Sequence, residues 1–106
     1  MKQIVVAIKG NIEWKGFRAR SGAWIGVCDS LNLTMESDTW ANLLEDIGLA
    51  LNEMFIDLLK SQELEKFLRE RNWRPVGPIP SRRADVWFDL PFSAKQVPRD
   101  TQVALR

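Results

Sequence analysis

Gly26-Val27-Cys28-Asp29-Ser30-Leu31, followed by Asn32-Leu33-Thr34-Met35-Glu36-Ser37-Asp38-Thr39, decides the reading of this chain. The first part ends a strand in an acidic turn. The second is another short strand, residues 33–36, leading to an Asp-Thr pair whose side-chain oxygens suit a helix start. Upstream, residues 23–28 are apolar on both faces, as in a central or covered strand. Residues 3–9 are β-branched and apolar and read as a buried strand. Residues 10–20 leave two readings open. Either Lys15-Gly16 is a hairpin turn between alternating segments, or the turn falls at Ser21-Gly22 and a loop precedes it.

Downstream, the periodicity predicts a helix over 39–59, about 30 Å long, capped by Asp38 or Thr39. Trp40, Leu43, Leu44, Ile47, Leu51, Met54, Phe55 and Leu58 follow helical spacing and form its core seam. A second helix is expected from Ser61 to Asn72, with Leu64, Phe67 and Leu68 inward. The prolines of residues 73–81 impose an extended connection. Residues 84–92 then alternate as a half-buried strand, Val86 and Phe88 on one side and Trp87 on the other. The class expected is α+β: a small three- to four-stranded, mostly antiparallel sheet with two helices on one face. One domain covers 1–92, and 93–106 reads as a polar C-terminal tail.

Composition excludes several functions. With no histidine and one cysteine, zinc sites and His-activated nucleophiles are not expected, nor is any cofactor. The lone Cys28 excludes an internal disulfide and fits a reducing cytoplasm. Lys9 ends the first apolar run early, so it reads as a strand, not a leader, and no stretch is long enough to span a membrane. Residues 1–65 carry 6 Lys/Arg against 10 Asp/Glu, whereas residues 66–106 carry 9 against 4. An acidic body with a basic C-terminal part implies two kinds of surface.

The order of these motifs resembles the HicB-like antitoxin domain of toxin-antitoxin systems. Cys28-Asp29-Ser30-Leu31 is similar to the family's Cys-Pro-acidic-Leu turn, and Ser37-Asp38-Thr39 to its Gly-Asp-Thr helix opening. The family's Glu-Glu-Ala is replaced by Trp40, Ala41, Asn42 and Leu43. The resemblance covers residues 3–60 and extends loosely to the strand at 84–90. It implies a partial ribonuclease-H-like fold, a HicA-like toxin as partner, and homo-oligomerisation. The DNA-binding domain that many such antitoxins append has no counterpart in residues 93–106.

A ribonuclease-H-like fold raises the question of metal-dependent cleavage, which needs converging carboxylates, one of them on the first strand. Residues 3–9 contain none, and Asp29 stands alone at the end of its strand. No enzyme is expected. Placed at about 100° per residue, Leu49 and Ile56 fall opposite the helix seam, among Asn42, Glu45, Asp46, Asn52, Glu53, Asp57 and Lys60. Leu49 and Ile56 ringed by Glu45, Asp46, Glu53 and Asp57 form a candidate partner interface, apt for a basic toxin. Trp87, between Asp85 and Asp89, is a further interface candidate and motivates the expectation of a homodimer. Arg69, Arg71, Arg74, Arg82 and Arg83 are candidates for phosphate contacts. The reading is thus a cytoplasmic antitoxin that neutralises an RNA-cleaving toxin by binding it. The alternatives are a small nucleic-acid-binding regulator and a stand-alone oligomeric module.

Overall fold

Alternating apolar side chains build seven short strands, and the apolar row that begins at Trp40 builds one long helix. The computed structural model describes residues 3–98. In chain order the elements are β1 (Ile4–Lys9), β2 (Ile12–Arg18), β3 (Trp24–Cys28), β4 (Leu33–Ser37), α1 (Trp40–Lys60), α2 (Leu64–Glu70), β5 (Arg74–Pro75), β6 (Val86–Asp89) and β7 (Phe92–Gln96). The class is α+β, as expected, but the strands form two mixed sheets of three and four strands where one sheet was expected. The described residues fall into two compact units, each with its own sheet. One holds β1, β5, β6, α2 and α1 from Leu49 onward; the other holds β2, β3, β4, β7 and α1 up to Gly48.

In the four-stranded unit the order is β4-β3-β2-β7, with β3 antiparallel to both neighbours and β7 parallel to β2. Of the two readings for residues 10–20, the turn falls at Ser21-Gly22, where Gly22 has φ +96°. The segment before it is strand β2 and not a loop, with Gly16 opposite Gly26 in mid-strand. The region expected as a loose tail begins with β7, paired to β2 from Phe92 to Gln96. Residues 99–106 of that tail lie outside the described residues.

The Gly16–Gly26 pair leaves a bare patch of sheet. A Cβ on Gly16 would lie 2.9 Å from Trp40 Cη2, and one on Gly26 would lie 3.3 Å from Leu43 Cδ1 and Trp14 Cε3. The first turn of α1 therefore seats an indole and a leucine directly on strand backbone. Thr39 Oγ1 caps that turn, accepting from the Asn42 N–H at 3.0 Å. Gly16→Ala is expected to destabilise the fold by about 1–3 kcal/mol through overpacking, measured by urea unfolding. An unchanged midpoint would show that Trp40 has room to move.

In the three-stranded unit β1 lies between β5 (antiparallel) and β6 (parallel). Val6, Ile8, Val86 and Phe88 are buried on one face, together with Leu51, Phe55 and Leu59 of α1 and Leu64 and Leu68 of α2. Phe55 meets the rings of Phe67 and Phe88 at centroid distances of 5.7 and 5.5 Å. The expected strand over 84–92 stops at Asp89 and resumes as β7 beyond Leu90-Pro91, where proline cannot donate to a ladder. The second helix is shorter than expected, and Ser61 does not cap it: its hydroxyl donates to the Leu58 carbonyl and to Glu63. Both helices end in the same left-handed motif. Gln62 and Asn72 take φ of 65° and 60°, and the next residue's N–H returns to Leu58 and Leu68 respectively.

Burial along α1 departs from a straight seam. The fully or nearly fully buried apolar residues are Leu43, Ile47, Leu51, Phe55 and Leu59, a strict four-residue step. Each step drifts by about 40°, so the row winds roughly 160° round the helix over its length. Trp40, Leu44, Met54 and Leu58 are only half-buried. Asn52, expected on the solvent side, is buried, and its Oδ1 accepts the Phe88 N–H at 2.7 Å.

Candidate protein-binding surface

Two open surfaces of the three-stranded unit carry the candidate residues. The first is the outer side of α1. Leu49 is 49% exposed, and Glu53 and Asp57 are exposed on the same side. Ile56 is half-buried, because the winding row brings burial round toward it at the end of the helix. It is therefore a margin of this surface and not its second apolar centre. Earlier on the helix Glu45 is exposed, as expected. Asp46 is not part of an open acidic rim: it is half-buried and accepts the Ser37 hydroxyl at 2.6 Å. That bond ties β4 to the helix start and explains the buried serine.

A charge feature of this region escapes a count by halves. Residues 21–59 contain no Lys or Arg and seven Asp or Glu. The whole run from the β2–β3 turn to the penultimate residue of α1 is thus an uninterrupted anionic segment.

The second surface is the face of the three-stranded sheet turned away from the helices. Strand alternation that buries Val6, Ile8, Val86 and Phe88 turns Val5, Ala7, Trp87 and Asp89 outward. Trp87 is 37% exposed, as the sequence suggested, and its register partner Val5 is 63% exposed. Val76, 55% exposed, joins them through its N–H to the Ala7 carbonyl. β1 was expected to be buried, and its alternation is visible only once one face is known to be open. Val5 and Val76 were therefore missed.

The basic candidates do not form one site. Arg71 is committed internally: its guanidinium lies 3.7 Å from the Phe67 ring centroid and donates to the Phe67 carbonyl at 3.1 Å. Arg69 and Arg74 line a cleft of about 380 Å³ with Asn72 and Trp73. Arg82 lines a neighbouring cleft beside Ser81, and Arg83 is exposed next to it. Among the described residues no three His, Cys, Asp or Glu side chains are grouped to hold a metal ion. Asp29 lies 3.8 Å from Lys15 across the β2–β3 pair, both largely exposed, which gives it an ordinary surface partner. Cys28 is buried, with its sulfur 3.5 Å from Ser30 Oγ.

No family model matches the chain, and neither a curated protein nor a solved structure is significantly similar to it. The HicB-like resemblance accordingly rests on the turn and helix-opening motifs. Among the described residues no helix is long and apolar enough to cross a membrane.

Proposed function

We propose that this chain is a non-enzymatic, HicB-like antitoxin domain that neutralises a basic, RNA-cleaving HicA-like toxin by covering its RNA-binding surface. The observation that carries the reading is the exposed Leu49 on a helix whose outer side bears Glu53 and Asp57, within a segment free of cations. An apolar centre with an anionic surround suits a partner that itself binds RNA phosphates. Strand order supports the reading in part: β2, β3 and β4 are antiparallel and β7 returns parallel to β2 after the helices, as in a partial ribonuclease-H-like sheet. Its first strand is then β2, which carries Glu13, and not residues 3–9, which belong to the other sheet. The unpaired Cys28 fits a cytoplasmic setting.

The test is co-expression with the product of the reading frame adjacent to this chain's gene, which the proposal requires to be small, basic and toxic. The wild-type chain is expected to relieve that protein's growth arrest and to co-purify with it. Leu49→Arg with Glu53→Lys is expected to weaken the complex by about 100-fold or more, since it removes the apolar anchor and inverts a charge. Retention of full affinity by the folded variant, or a neighbour that is neither basic nor toxic, would sink the proposal. Binding of the chain to RNA or DNA with steep salt dependence would favour the regulator instead.

A further inference from the structure

We infer that the open edge of β4 takes up an extended, cationic segment of a partner protein as a fifth strand of the four-stranded sheet. β4 is bonded on one side only, to β3. Every second residue of such a strand turns its N–H and C=O outward, and no described backbone group meets them there. The other three sheet edges are blunted. β5 is two residues long and contains Pro75, which has no N–H to offer. At the outer edge of β6 the Phe88 N–H is held by Asn52. β7 carries Lys95 and is followed by Pro98. β4 has no proline, lysine or bulge, and it pairs residue for residue with β3 from Leu33 to Ser37.

The side chains beside this edge specify the segment. Met35 is the register partner of Gly26, whose bare face meets Leu43 of α1, so Leu33 and Met35 lie on the helix-covered side of the sheet. Both are only half-buried. Thr34 and Glu36 face the other way and are exposed, and Glu36 has no ion-pair partner among the described residues. An added strand with alternating side chains therefore sets one row beside Leu33 and Met35 and the other beside Thr34 and Glu36. The first row must be apolar, and charge decides the second. Around β4 lie Asp29 in the turn before it, Asp38 just after it, and Glu45 and Asp46 of α1, the latter accepting the Ser37 hydroxyl. Lys15 partly offsets Asp29 at 3.8 Å. The described cations of this unit, Lys15, Arg18, Arg20 and Lys95, lie on β2, the turn after it and β7, and none is on β3 or β4. The segment that fits is a strand alternating lysine or arginine with valine, isoleucine or leucine. A second copy of this edge offers acid to acid, and nucleic acid is repelled. The site uses residues other than those on the outer side of α1 and stands whether or not the antitoxin reading does.

The probe is a capped peptide of about eight residues alternating lysine and valine, long enough to pair along β4. At about 1 mM peptide, a Kd near 100 μM or tighter slows amide exchange by about 10-fold or more at alternate residues of β4, which is the expected result. The same peptide with glutamate for lysine is expected to bind at least about 10-fold more weakly. A lysine peptide N-methylated at every residue keeps its charge but cannot donate to a ladder, and is expected to leave β4 exchange unchanged. Glu36→Lys with Asp38→Lys alters only exposed side chains and is expected to weaken binding of the lysine peptide by about 10-fold or more while the glutamate peptide gains. If that variant unfolds, the three peptides on the wild-type chain still decide. Unchanged exchange at β4 with the lysine peptide overturns the proposal, as does equal slowing by the N-methylated or the glutamate peptide. So does β4 protection that grows with chain concentration alone, which assigns the edge to a second copy.

Discussion

Phe55→Ala is expected to cost about 3–5 kcal/mol, the loss seen when a large buried aromatic is truncated. Phe55 is fully buried and is the one ring in contact with both Phe67 of α2 and Phe88 of β6. Its removal therefore loosens helix–helix and helix–sheet packing in the three-stranded unit together. For a domain of this size each kcal/mol shifts the melting temperature by about 4–8 °C, so a fall of roughly 12–40 °C is expected by circular dichroism. Phe55→Leu keeps most of the volume and is expected to lose much less. A Phe55→Ala shift below about 5 °C would show that the three rings are not the centre of this core.

Asn52→Leu is the second large effect, and it works through a single hydrogen bond. The substitution keeps the branched shape, with somewhat larger methyl groups, but leaves the buried Phe88 N–H with no acceptor, costing about 1–3 kcal/mol. Amide hydrogen exchange reads the event at its source. The Phe88 amide is expected to be protected in the native chain and to exchange about 10-fold or more faster in the variant. Unchanged protection would mean that another group takes over from Asn52.

Much of the frame was legible in the residues themselves. Thr39 and the 3–4 spacing after it placed α1 to within one residue at each end, because a short oxygen side chain and an apolar row are local signals. β1, β3 and β4 were found from β-branched and apolar runs in the same way. What the chain hides is the direction of burial. A single angular seam drawn through Trp40, Ile47 and Leu51 assumes a straight stripe, whereas the four-residue row from Leu43 to Leu59 winds round the helix. Leu49 stays exposed under either description. Ile56 and Asn52 do not, because they lie near the end to which the row has turned. Asp46 was hidden for a different reason, since its partner Ser37 is nine residues earlier on another element. Strand β5 was hidden too, being two residues long and recognisable only by its pairing with Ile8 and Lys9.

The tryptophans are divided between the units in a way that lends each its own optical signature. Trp24 and Trp40 meet edge to face at a centroid distance of 5.1 Å, close enough for their indole transitions to couple. Trp14 lies fully buried in the same unit, while the three-stranded unit holds Trp73 and the solvent-facing Trp87. Coupled, rigid indoles give intense near-ultraviolet dichroism, and an indole at the surface emits at longer wavelength and is quenched by solutes. Dichroism and quenching thus follow the two halves of one chain separately, with no label attached.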